Sequence, residues 1–187
     1  MLPVAHLRNK TALAGLLLGA LLAGGCGTVA TVAAPEPVAV QEPAATSSPG
    51  PVRLTGDVRT PRDLDADDLA ALPHHTVAVE YESGSGHQSH SETGVLLADL
   101  VPADALATTD RKNDALSFGV LAVGADGYAA LVSFGEISPE FGDRGVLLAT
   151  AEDGKPLERP RLVVPGDVKG GRYVSDVVEL RVIRTAD

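Results

Sequence analysis

Between Arg53 and the C-terminus no apolar pattern keeps a helical period for long. Short runs of Val, Leu and Ala alternate with Pro, Gly and Asp, and this punctuation restricts the chain to short strands joined by tight turns. "VRLTGDV" reads as a strand. "DADDLAALP" reads as a short helix with Asp65 as its N-cap, acids in the first turn and Pro73 beyond its end. In "HTVAVEYES" the period of two sets Val77, Val79 and Tyr81 on one face of a strand. "GVLLADLVPADAL" predicts a short helix or two, with Leu96, Leu97 and Leu100 at helical spacing. "LSFGVLAV" and "YAALVSF" flank Asp126–Gly127 as a hairpin, and "GEISPEFG" reads as a short helix or turn. "GVLLATA" and "RLVV" flank a second reversal at Asp153–Gly154, and "DVVELRVI" closes the chain as a strand. About seven strands and a few short helices, with no long helix between successive strands, predict an α+β fold of mostly β content. Roughly 135 residues from Arg53 onward suffice for one domain with one core.

The segment before this domain has a different character. His6, Arg8 and Lys10 precede an uncharged run from Ala12 to Gly25 that is rich in Leu and Ala. A basic start, a short apolar centre and small residues at the end describe a secretory signal peptide over residues 1–25. The run falls short of the ~20 residues that a membrane-spanning helix needs. It ends on Cys26, the one cysteine of the chain. A lone cysteine is open to four readings: catalytic thiol, metal ligand, redox sensor or attachment point. Residues 26–52 hold five prolines among Ala, Ser and Thr, which break helix and sheet alike and read as a linker.

Charge narrows the function classes. All 25 acidic residues follow Cys26, against 13 of the Lys and Arg, so this part carries a formal charge of −12. Such a chain lacks the broad basic face that nucleic acid requires. With one cysteine an internal disulfide is impossible. Aromatic residues make up 3% and Trp is absent, so the core must be built from Val, Leu and Ala. No G-x-S-x-G elbow, phosphate loop or dinucleotide fingerprint occurs. The paired Asp67 and Asp68 suit a helix start, where they favour the dipole.

Two resemblances add to this reading. Ala23, Gly24, Gly25 and Cys26 resemble the lipobox of bacterial lipoproteins, which implies that the Cys26 thiol carries diacylglycerol. The protein is therefore expected outside the cytoplasm, attached to the cell membrane by an N-terminal lipid. The segments "LTGDVRTPRDLDADDLAALP", "TGVLLADLV", "GADGYAALVSFGEI", "VLLATAEDGKPL" and "RLVVPGDVKGGRYVSDVVELRV" resemble, in this order, the short form of the sulfite-oxidase-type molybdopterin-binding oxidoreductase domain. The resemblance covers residues 53–185 and implies a mixed-sheet domain.

In catalytic relatives the metal is held by the pterin dithiolene and by a cysteine thiolate that follows the strand corresponding to "HTVAVEYES". Here the following segment, "GSGHQSHSE", reads as a loop over residues 84–92 and holds no cysteine. Neutral Ser or His does not replace the charge and softness of a thiolate. The resemblance further implies that the pterin phosphate meets Lys169, Gly170, Gly171 and Arg172, through close backbone approach and two cations. The competing reading is a turn with a solvated Lys169 and an Arg172 paired to an acid. His87 and His90 offer a second candidate site, for copper, nickel or zinc, against the simpler reading of a polar exposed loop. Three functions stand from the sequence. The first is a lipid-anchored binding or interaction module without cofactor, its partner a small molecule or an envelope protein. The second is a molybdopterin-dependent oxidoreductase with unusual metal ligation. The third is a histidine-dependent metal-binding lipoprotein.

Overall fold

The computed structural model describes residues 50–185. Cys26, the signal segment and nearly all of the linker therefore lie outside the described residues. The fold is α+β and mostly β, built on two sheets. The first sheet has the order β2-β1-β9-β5-β6, with β1 (Val52–Gly56), β2 (Arg62–Leu64), β5 (Phe118–Gly124), β6 (Ala129–Ser133) and β9 (Val177–Arg184). Only the β1–β9 pair is parallel, which makes this sheet mixed. The second sheet is antiparallel in the order β3-β4-β7-β8, with β3 (His74–Ser83), β4 (Gly86–Leu96), β7 (Leu147–Glu152) and β8 (Lys155–Val163).

The helices are caps and connections rather than layers. α1 (Ala66–Ala70) begins with a capping box in which Asp65 and Asp68 each accept the other's backbone N–H. α2 (Leu97–Leu100) buries Leu97 and Leu100, and α3 (Phe134–Ile137) buries Phe134 and Ile137. Both Asp-Gly reversals form as the sequence implies. At Asp153–Gly154 both residues have positive φ (50° and 74°), the geometry that matches the twist of a two-residue hairpin.

Alternation divides each strand between two environments. Val52, Leu54, Val120, Ala122, Leu180 and Val182 of the first sheet face Val95, Leu148 and Leu162 of the second across the main core. Each fully buried Val or Leu contributes about 1.5–3 kcal/mol, which is how a chain without Trp closes a core. The opposite face of the second sheet carries a smaller cluster of Val79, Leu147, Ala149 and Val163, with Tyr81 and Tyr173 packed against it. Gly94 sits where β4 crosses β7 at a bulge; a Cβ there would lie 2.2 Å from the Leu148 carbonyl oxygen, so only glycine fits.

One expectation is corrected here. Residues 84–92 are not a loop: β3 and β4 pair in register from His74↔Val95 to Ser83↔Gly86, leaving only Gly84–Ser85 as a turn. The strand escapes a hydropathy reading because its residues on the Val79 side, Gln88, His90 and Glu92, are polar. β2 also goes beyond the sequence reading; it is a three-residue edge strand with no pattern to detect.

Candidate functional site

On the outer face of the second sheet, beyond the small apolar cluster, a polar network crosses the strands. Register sets Val77 opposite Glu92, Val79 opposite His90 and Tyr81 opposite Gln88, and it sets Glu92 opposite Glu152 on β7. Arg161, opposite Ala149 on β8, reaches across from the far strand. Its Nη1 donates to Glu152 Oε2 and lies 3.5 Å from Glu92 Oε1. Glu92 is 1% exposed and its Oε2 has no hydrogen-bond partner among the described residues. Burial pushes the Glu92 carboxyl up to about 7; Arg161 opposes this and the Glu152 carboxylate adds to it.

His90 extends the network. Its Nδ1–H donates to Asp153 Oδ2 at 3.0 Å, and Nε2 lies 3.4 Å from Gln88 Oε1. The Asp153 bond, first among the causes, holds the His90 pKa above its ordinary value. Asp153 also accepts the Ser91 backbone N–H at 2.9 Å, so the Asp153–Gly154 turn is tied to β4. Tyr81 and Tyr173 pack beside the network with ring centroids 4.3 Å apart and ring planes tilted by 39°. Burial raises both phenols, that of Tyr173 to about 12.

A cavity of about 620 Å³ opens against this edge. Tyr81, Arg161 and Tyr173 form one wall, the end of β3 at Glu82–Gly84 another, and Lys169–Gly171 a third. The backbone brings the walls together: Glu82 N–H donates to the Val168 carbonyl at 2.9 Å, and Glu82 pairs with Lys169 in a parallel bridge. A 3-10 turn at Gly170–Arg172 follows, and the Tyr128 hydroxyl donates to the Gly171 carbonyl and holds it in place. Gly170 is required by packing, since a Cβ would lie 2.7 Å from two atoms of the Tyr81 ring.

The sequence candidates separate on this geometry. Lys169, Gly170 and Gly171 line the cavity together. Arg172 does not join them. Its guanidinium forks onto Asp167 at 2.8 and 2.6 Å and donates to Glu136 at 3.0 Å, so it is a clamp between the turn and α3. Hydrogen bonds to Asp167, then to Glu136, hold its pKa above the ordinary value. His87 and His90 are three positions apart on one strand and therefore face opposite sides of the sheet. His87 pairs with Glu82 at 3.2 Å instead. Among the described residues no group of three or more His, Cys, Asp or Glu is placed to hold a metal. Cys26 lies outside the described residues.

Arg161, Glu92 and Glu152 went unsingled in the sequence. The one signal was parity. Arg161 lies two residues before the buried Val163, and Glu92 continues the face of Gln88 and His90.

The two-sheet architecture with short connecting helices is a known class of fold. The structure of the sulfane dehydrogenase SoxCD from Paracoccus pantotrophus matches it with a TM-score of 0.59 at 20% identity. The match covers 74% of this chain and 39% of that chain, so the likeness is one of fold over a part of a larger protein. No family model matches the chain, and no curated protein sequence does.

The residues at the cavity do not fit a molybdopterin group. The segment in which the resembled family carries its thiolate, residues 84–92, is here the Gly84–Ser85 turn and the start of β4, and it holds no cysteine. Arg172 is saturated by two carboxylates. Glu82, Glu92 and Glu152 put further carboxylates at or beside the cavity, against a strongly anionic cofactor.

Proposed function

We propose that this protein is a lipid-anchored extracytoplasmic module whose sulfite-oxidase-type domain binds a ligand or partner without carrying out redox chemistry. The fold likeness to a sulfane dehydrogenase supports the architectural half of this reading, together with the order of motifs between residues 53 and 185. The observation that carries the functional half is the content of the cavity. In the segment where the resembled family carries its soft anionic ligand this chain has no cysteine, and Arg161 and Arg172 beside the cavity are held by acids. A cleft with those groups suits recognition, and it offers no sulfur ligand to a metal. Diacylation of Cys26 supplies stable attachment to the membrane, and the linker lets the domain stand away from it.

The alternative of an active oxidoreductase rests on the same fold likeness. Metal and pterin analysis of the full-length chain, produced in a host that makes the cofactor, separates the two. A module contains neither molybdenum nor pterin. Stoichiometric amounts of both overturn the non-catalytic reading.

A further inference from the structure

Arg161 makes both of its side-chain contacts, to Glu92 and Glu152, through Nη1. Its Nε and Nη2 have no partner among the described residues. That edge of a guanidinium receives a carboxylate through two parallel N–H···O bonds. Lys169, exposed and without a side-chain partner among the described residues, lines the same cavity. Tyr81 and Tyr173 add apolar ring faces, and about 620 Å³ lies within the size range of small-molecule sites.

We propose that this cavity binds a small organic monocarboxylate, with its carboxylate on the open edge of Arg161 beside Lys169 and its apolar body against Tyr81 and Tyr173. The proposal deepens the binding-module reading and rests on it. Charge favours a monoanion over a dianion, because each further negative unit on the ligand adds to the carboxylates already around the two cations. Arg161 and Lys169 stand against three carboxylates, Glu82 on the wall and Glu92 and Glu152 behind Arg161.

Binding depends on pH through the groups that face Glu92: Tyr81 on β3, His90 on β4, Glu152 on β7 with Asp153 at its turn, Arg161 on β8, and Tyr173. Glu92 takes up a proton as pH falls through about 7, and His90, held above its ordinary value by Asp153, adds positive charge on the acid side. Each proton makes the surroundings of Arg161 more positive, so an anion binds more tightly on the acid side.

Calorimetric titration of benzoate into the full-length chain tests this, with molybdenum and pterin measured on the same preparation. The expected result is saturable binding, several-fold tighter about one unit below neutrality than about one unit above it. Arg161→Lys keeps the charge and loses the fork, and weakens benzoate by about tenfold or more. Lys169→Ala weakens it by a smaller factor; because Lys169 is exposed and unpartnered, this variant decides the matter if Arg161→Lys fails to fold. No benzoate binding by cofactor-free wild type overturns the proposal alone, as does an unchanged Kd in Lys169→Ala or in folded Arg161→Lys. Binding of inorganic phosphate with no binding of benzoate also overturns it. Stoichiometric molybdenum and pterin overturn the binding-module reading and the proposal with it.

Discussion

A carboxyl on a buried strand face, with one oxygen unpartnered, keeps its proton far above the range of a solvated glutamate. For Glu92 the folded pKa is about 7 against an ordinary 4.5. Between those values the native state binds more protons than the unfolded chain, so stability falls as pH rises from about 4.5 to about 7 and levels off above. At 1.36 kcal/mol per unit the ceiling on this loss is roughly 3 kcal/mol. His90 slopes the same way, because its raised pKa gives stability that is lost as pH rises through the folded value. Glu179 acts in a lower window. Held below its ordinary value by hydrogen bonds from Arg181 and then Thr55, it gives stability that is lost only as pH falls through its folded pKa. Glu92→Gln keeps the shape of the side chain and removes its titration, so only the difference between the two proteins isolates Glu92. Thermal melts across this range should show a drop for the wild type that the variant lacks in part. Parallel melting curves would mean that Glu92 is ordinary.

Among the elements, the 3-10 turn at Gly170–Arg172 fixes the shape of the cavity, and its two glycines have unequal roles. A methyl on Gly170 enters the Tyr81 ring, whereas a methyl on Gly171 meets nothing within 4 Å. Gly170→Ala should therefore cost about 1–3 kcal/mol as the Tyr81–Tyr173 pair is displaced, while Gly171→Ala stays within about 0.5 kcal/mol of wild type. Urea denaturation of the pair measures this; equal losses would place the ring contact in doubt. The family resemblance treats both glycines alike, as room for a phosphate, because a glycine shows permission and not what uses it. The same limit explains what else was legible. The Asp126–Gly127 and Asp153–Gly154 hairpins, the Asp65 cap and the Val77, Val79, Tyr81 face are local signals, and each appears where the residues imply. β4 was hidden because its outward face swaps apolar residues for a Gln-His-Glu string. Arg161 was hidden because its partners lie nine and sixty-nine residues away in sequence. A salt-bridged site assembled by strand register leaves no spacing to read.

At the scale of the whole molecule, the proposed attachment to the membrane rests on the lipid at Cys26. The formal charge of −12 beyond Cys26 repels an anionic bilayer surface, and no helix among the described residues is long and apolar enough to cross one. Cys26→Ser should abolish incorporation of a fatty-acid label and move the processed protein out of the carbonate-washed membrane fraction. Its thermal unfolding should stay unchanged, because Cys26 precedes β1 by the length of the linker. The same variant also bears on catalysis. If the Cys26 sulfur is a thioether to diacylglycerol, no thiolate remains anywhere in the chain to ligate a metal, so label on the wild type and none on the variant would strengthen the non-catalytic reading as well. Persistence of the label in Cys26→Ser, or a wild type that takes up none, would remove the lipid anchor and return the thiol to the list of chemical groups the domain can use.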